Sequence, residues 1–162
     1  MSKAVYIFRH AETYFSKHKI PYGTQMETAE IIPEGIPPIE KLSQKLNVVK
    51  TDANFTSPYK RCLQTVKIVN NFTGKKFVID KRLHDFHNES INAMLKRLQD
   101  FINDKSVKNC GSISICTHGY PAAIIRSLLV KGEFQLNDLN TYPKPGTLIT
   151  IINRKAKITD FN

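Results

Sequence analysis

The stretch Ile7-Phe8-Arg9-His10-Ala11-Glu12-Thr13 closes a short apolar run, AVYIF at residues 4–8. The run ends on an arginine and a histidine, with a carboxylate two positions on. A continuous apolar run this short reads as a strand buried on both faces, the kind found in parallel sheets covered by helices. Side chains as costly to bury as Arg9 and His10 need a partner at the strand end. The carboxyl edge of an open parallel sheet is where ligands supply one.

Outward from this strand, apolar runs alternate with helical periodicity, which predicts an α/β fold around a mostly parallel sheet. Residues 14–36 hold Pro21, Gly23, Pro33 and Gly35 with little periodicity, and read as an irregular excursion. Pro37 and Pro38 can open a helix that carries Ile39, Leu42 and Leu46 on one face. Residues 52–56 (DANFT) are a second strand. Ser57-Pro58 then supplies an N-cap and a first helical residue for a helix with Cys62, Val66 and Val69 on one face. FVI (77–79) is a third strand. Ile91, Met94, Leu95, Leu98, Phe101 and Ile102 keep a helical spacing, so a helix is predicted over 89–103. SISIC (112–116) is a strand, followed by a turn at Gly119 and Pro121 into a helix with Ile124, Ile125, Leu128 and Leu129, ended by Gly132. Residues 133–146 read as a loop. TLITII (147–152) is a last long strand, paired with 155–161 through a turn at Asn153-Arg154.

The 162 residues fit one domain, residues 1–162, and at 41% hydrophobic they can build an ordinary core. No apolar run is long enough to cross a membrane, and the segment MSKAVYIFRH turns polar too soon for a signal peptide. Cys62, Cys110 and Cys116 are odd in number and lack metal-type spacing, which points to reduced thiols in a cytoplasmic protein. The 24 Lys and Arg outweigh 14 Asp and Glu, for a net charge of +10. That balance suits an anionic partner. The charge is scattered, with some excess between Lys60 and Lys108. No stripe of basic and aromatic residues of the base-stacking kind accompanies it, so nucleic acid is disfavoured as the partner.

The strand-to-helix junctions share one feature. The first strand ends at Arg9-His10, the second runs into SPYKR with Arg61 in the first helical turn, and the fourth ends at Thr117-His118-Gly119. On one sheet edge, two arginines and two histidines would converge beside helix N-termini, which offer free N–H groups and partial positive charge. The pattern resembles the histidine phosphatase superfamily, the phosphoglycerate mutase-like group. IFRHAET is similar to its RHG signature, SPYKRCLQT (57–65) to its second motif, and ICTHGYPAAIIRSLL (115–129) to its second-histidine motif. IIPEGIPPIEKLSQKL (31–46) is similar to the segment in which a glycine precedes the first sheet-covering helix. The resemblance spans roughly residues 4 to 130, in order.

It implies a three-layer α/β sandwich, with a mostly parallel central sheet and helices on both faces. It further implies that His10 is the nucleophile and is transiently phosphorylated, while Arg9, Arg61 and His118 hold the phosphoryl oxygens. Gly119 lets backbone approach the ligand. Asp85, two positions after Leu83, matches the family's acid with Asp in place of Glu; His84, His87 and Glu89 are alternatives. Ser16 stands where the family often has a phosphate-binding asparagine. Glu12 and Thr13 are candidate supporting residues. Ala11 replaces the glycine of RHG, and FHNES replaces a glycine-rich stretch after the acid. The chemistry is consistent with these roles. Arginines beside His10 disfavour a second cation and keep its attacking nitrogen unprotonated. Guanidinium forks match phosphate oxygens, and phosphoryl transfer asks mainly for alignment and charge stabilisation. No metal-ligand spacing is present and no cofactor is expected.

The expected function is a small cytoplasmic, metal-independent phosphatase. Its substrate would be a phosphate monoester or phosphoramidate, either a phosphoprotein (including phosphohistidine) or a small sugar phosphate. A chain this short has little material for a cap, so an open site is expected. Rival readings are a phosphoglycerate-type mutase, for which 14–36 offers only Lys17 and Lys19 as second-phosphate groups, and a polyanion-binding module without turnover.

Overall fold

A computed structural model describes residues 3–162. Six strands form one sheet in the order β3-β2-β4-β1-β5-β6: β1 (Ala4–Arg9), β2 (Ala53–Thr56), β3 (Val78–Ile79), β4 (Ser112–Thr117), β5 (Thr147–Ile152) and β6 (Lys155–Asp160). The pairs β1–β4, β2–β4 and β2–β3 are parallel, and β1–β5 and β5–β6 are antiparallel. The sheet is therefore mostly parallel, with an antiparallel hairpin on one side. Asn153 and Arg154 adopt φ of 51° and 61°, which fits a two-residue hairpin turn whose twist matches the strands.

The alternation of β1 sorts the core. Val5 and Ile7 join Ile113, Ile115, Ile149 and Ile151 on one face. There they meet Met94, Leu98 and Phe101 of α4 (Ile91–Asn103) and Ile124 and Ile125 of α6 (Gly119–Lys131). Phe8 faces the other way with Cys116 and Leu148. That side is closed by Ile39, Leu42 and Leu46 of α2 (Ile36–Asn47) and by Cys62, Val66 and Val69 of α3 (Lys60–Thr73). Helices thus cover both faces, as the sequence predicts. Among the described residues no helix is long and apolar enough to cross a membrane.

Several local expectations are corrected. Ser57-Pro58 does not start α3: Tyr59 is its N-cap, with φ −70° and ψ 142°, and residues 57–59 stay outside the helix. The 77–79 strand shrinks to Val78–Ile79 on the sheet edge, exposed. The 89–103 helix starts at Ile91 because the Ser90 hydroxyl caps it by accepting from Ala93 N. Residues 14–36 are not wholly irregular: they hold a short helix, α1 (Tyr14–His18), and two 3-10 turns. A short α5 (Lys105–Lys108) and a 3-10 segment (Leu136–Thr141) were not foreseen.

Register positions the site. Arg9 pairs with Thr117 and Thr56 with Cys116, so three parallel strands end almost level. The next residues stay in step: His10 N donates to Thr117 O (3.1 Å) and Ser57 N to Cys116 O (3.0 Å). His10, Ser57 and His118 consequently stand abreast at the carboxyl edge.

Candidate active site

His10, Arg61 and His118 are brought together, and each has 0% exposed surface. The two imidazoles lie with ring centroids 5.2 Å apart. His10 Nδ1 is 2.7 Å from the Ala11 carbonyl, which can only accept, so Nδ1 carries the proton. The lone pair is then on Nε2, where it accepts from Arg61 Nε at 3.2 Å. Burial first, and Arg9 and Arg61 next, hold His10 well below the usual imidazole value. Its Nε2 is therefore an unprotonated nitrogen facing the guanidinium.

His118 has the opposite face forward. Its Nε2 is 2.7 Å from Ser57 Oγ, and Ser57 Oγ already accepts from Tyr59 N at 3.3 Å. The serine hydroxyl proton is thus free to point at Nε2, which leaves the ring proton on Nδ1. That Nδ1 is buried without a hydrogen-bond partner, 3.6 Å from Asp85 Oδ2. A buried donor left unpaired is costly and marks the place of an oxygen. Burial, and then Arg61, His10, Arg9 and His84, push the His118 pKa well down, so this donor is neutral.

Burying a guanidinium costs several kcal/mol unless its N–H groups are bonded. Arg61 is satisfied all round. Nη2 meets Asp85 Oδ2 at 3.0 Å, Nη1 donates to the Met26 carbonyl, and the plane lies 4.1 Å from the Tyr22 ring centroid. Arg9 is only partly buried. Its Nη1 donates to Pro143 O (3.0 Å), its Nε is buried without a partner, and it lies 5.6 Å from the Tyr142 ring.

Of the carboxylate and imidazole candidates after Leu83, Asp85 is the one in contact with Arg61. Glu89 is turned away into a pair with Arg97 (2.5 Å), and His84 leans toward Tyr59. His87 lines clefts on the surface. Arg97 was missed at the sequence level. From α4 it donates to Asp85 O (3.2 Å) and Arg82 O (2.5 Å), pinning the loop that carries Asp85. Thr117 Oγ1 holds the same loop through Leu83 O (2.7 Å). No signal within 91–103 distinguishes Arg97 from a solvated helix residue.

The remaining candidates lie around this group. Thr13 caps α1, and its partner in the capping box is Ser16, whose hydroxyl is committed to Thr13 N (2.9 Å) and Thr13 O (3.2 Å). Ser16 lines the same cleft as Arg9 and Glu12. Gly119 opens α6; a Cβ there would lie 2.8 Å from the Tyr142 ring and 3.5 Å from Arg9 Nη1, so its smallness makes room for those two side chains. Gln64 and Thr65 fasten loops from α3: Ile31 N donates to Gln64 Oε1 (2.9 Å) and Ala11 N to Thr65 Oγ1 (2.8 Å). Cys62 and Cys116 are buried and unbridged, with Cys62 Sγ 3.6 Å from His118 Nε2.

The expectation of an open site is corrected. The excursion folds back so that Tyr22 and Met26 cover Arg61, which has no exposed surface. Among the described residues, no group of three or more His, Cys, Asp or Glu is placed to hold a metal ion.

The model of the histidine phosphatase superfamily (branch 1) matches residues 5–88, more than half of the chain. The chain belongs to the histidine phosphatase superfamily. The segment that the family model matches carries Arg9, His10, Arg61 and Asp85. Solved structures extend the likeness over the whole chain. An alpha-ribazole phosphatase from Shigella flexneri superposes with a TM-score of 0.78 at 17% identity, covering 97% of this chain and 95% of its own. A phosphoglycerate mutase from Bacillus anthracis gives 0.71 at 13% identity over 99% and 94%. A mycobacterial glucosyl-3-phosphoglycerate phosphatase gives 0.68 at 14% identity over 93% and 90%. At these identities the likeness is one of fold. No curated protein matches the sequence. His118, outside the matched segment, is brought beside His10 by the register of β1 and β4.

Proposed function

We propose that this histidine phosphatase superfamily member is a cytoplasmic phosphatase. It would hydrolyse phosphate monoesters or phosphoramidates, small or protein-borne, through a phosphohistidine on His10. The observation that carries the reading is the His10 tautomer: Nδ1 is tied to Ala11 O and the Nε2 lone pair faces Arg61 Nε at 3.2 Å.

In the first step the Nε2 lone pair forms a bond to phosphorus as the bond from phosphorus to the leaving oxygen (or nitrogen) breaks. Asp85, which takes a proton as the substrate phosphate replaces it on Arg61, gives that proton to the departing atom. Arg9, Arg61 and the His118 Nδ1–H take the phosphoryl oxygens, replacing the contacts that Asp85 and Met26 now make with Arg61. In the second step water attacks phosphorus, gives a proton to Asp85, and returns the electron pair to Nε2. The cationic groups already present supply the charge stabilisation that phosphoryl transfer needs.

Turnover of p-nitrophenyl phosphate by wild type and His10→Ala tests this. Wild-type activity that the substitution abolishes is expected. Activity unchanged in His10→Ala refutes the reading. A salt-sensitive shift of nucleic acid with no turnover in wild type would favour the polyanion-binding module. Interconversion of phosphoglycerates without net phosphate release would favour the mutase.

A further inference from the structure

Two clefts open beside the covered groups and share Arg9, Pro21, Tyr22 and Tyr142. They differ in chemistry. One gathers Lys17, Lys19 and Lys144 near Arg9, but Lys17 is paired with Glu34 (3.0 Å) and Lys144 with Asp160 (3.5 Å). The other, ≈ 840 Å³, contains Asp85 and Gly119 and no lysine. Phe86, Tyr120 and Tyr142 run along it as a continuous wall. Tyr120 meets Tyr142 edge to face at 5.5 Å, and Phe86 lies 6.2 Å from Tyr120 at a tilt of 42°. Tyr22 and Met26 also line it. His87 and Asn88, hydrogen-bonded to each other at 3.1 Å, add polar groups to the lining.

We propose that the aromatic cleft receives the alcohol part of the substrate, and that it selects phosphate monoesters whose alcohol carries a flat aromatic ring. This rests on the phosphatase reading of His10 and names the substrate class of that same site. In an in-line displacement the leaving oxygen lies opposite the attacking Nε2 and must reach the proton donor. Asp85 lines this cleft and not the lysine-lined one, so the alcohol continues into the space Asp85 borders. A wall of rings at mutual distances of 5.5 and 6.2 Å can extend by one more ring in offset or edge contact. Met26 adapts to ring faces of different outline. Arg9 is the one arginine or lysine in the cleft lining, and it is engaged by the phosphoryl group, so no free arginine or lysine is left to meet a second phosphate here. The polar groups of His87 and Asn88 suit a heterocycle with hydrogen-bonding edges.

Two matched pairs of substrates separate the ring from leaving-group reactivity. Adenosine 5′-monophosphate and ribose 5-phosphate leave through the same primary oxygen and differ by a heteroaromatic ring. 2-Phenylethyl phosphate and ethyl phosphate differ by a ring placed closer to phosphorus. The ring-bearing member of at least one pair is expected to have a kcat/KM roughly 10-fold higher or more, the factor a single ring stack supplies. The pair with the larger ratio tells how far from phosphorus the ring sits. Tyr120→Leu should bring that ratio down several-fold, and so should Phe86→Leu if the first variant does not fold. In wild type, adenosine should inhibit competitively where ribose does not. Ratios near one for both pairs, with turnover still dependent on His10, overturn the cleft proposal and leave the phosphatase standing. Faster turnover of fructose 1,6-bisphosphate than of either ring-bearing ester overturns it in favour of the lysine-lined cleft. No turnover of any ester overturns the cleft proposal, and no turnover of phosphoramidate besides removes the phosphatase reading as well.

Discussion

A buried imidazole presents either a proton or a lone pair to a ligand, and one neighbour decides which. For His118 that neighbour is Ser57, at 2.7 Å from Nε2. Its hydroxyl was legible only as a helix cap, because Ser-Pro is a helix-start signal; the helix instead waits until Lys60, freeing Ser57 to face the histidine. Ser57→Ala should let the His118 proton move to Nε2. ¹⁵N NMR should then show loss of the Nδ1–H form, with kcat/KM falling by about 10- to 10²-fold, near the scale of one lost transition-state donor. Arg61→Ala should cost about 10²-fold or more, for the same reason. The His10 pKa lies below 6.5, held down by burial and by the two arginines. The nucleophile therefore stays neutral as the medium becomes mildly acidic, and kcat/KM should not fall through pH 6.5 on account of His10. An acid limb centred at the ordinary imidazole value would contradict the burial of His10.

At the scale of elements, the segment after β1 does more than connect. It returns through the Thr13–Ile31 bridge, is fastened by Gln64, and lays Tyr22 and Met26 over Arg61. None of this was visible in residues 14–36. The covering depends on a main-chain carbonyl and on a glutamine 33 residues along the chain from the Ile31 it holds, not on periodicity or charge. Tyr22→Ala should uncover the site and raise the rate at which diethylpyrocarbonate modifies His10; an unchanged rate would mean that another segment shields it. Gly35 marks where this return path touches the loop after His10. A Cβ there would lie 2.6 Å from the Glu12 main-chain nitrogen, which cannot move without shifting the turn after His10. Gly35→Ala should lower the melting temperature by an amount equivalent to about 1–3 kcal/mol, the usual cost of overpacking, and should lower activity with it.

For the whole molecule, the sheet was legible where apolar runs were unambiguous. AVYIF, SISIC and TLITII became β1, β4 and β5, and their alternation built both faces of the core. The motifs at Arg9-His10, Arg61 and His118 were legible because they resemble the family's signatures and each follows a predicted strand. Short pieces such as Lys105–Lys108 were not, since four residues carry no period. The buried site also sets a stability profile. His10 and His118 are both held well below 6.5 in the fold and return to the ordinary value when unfolded. Above that value both states are neutral and the two histidines contribute no pH dependence. Below it the unfolded chain takes up protons that the fold refuses, so the melting temperature should fall as pH drops through about 6.5, and less so in His118→Gln. The central claim is that His10 Nε2 takes the phosphoryl group. Rapid quenching of wild type during turnover, followed by mass spectrometry, tests it most directly. An acid-labile, base-stable phosphate on His10, formed and lost as fast as turnover and absent from His10→Ala, is expected. Phosphate on another residue, or turnover with no phosphoenzyme that persists in His10→Ala, would contradict it.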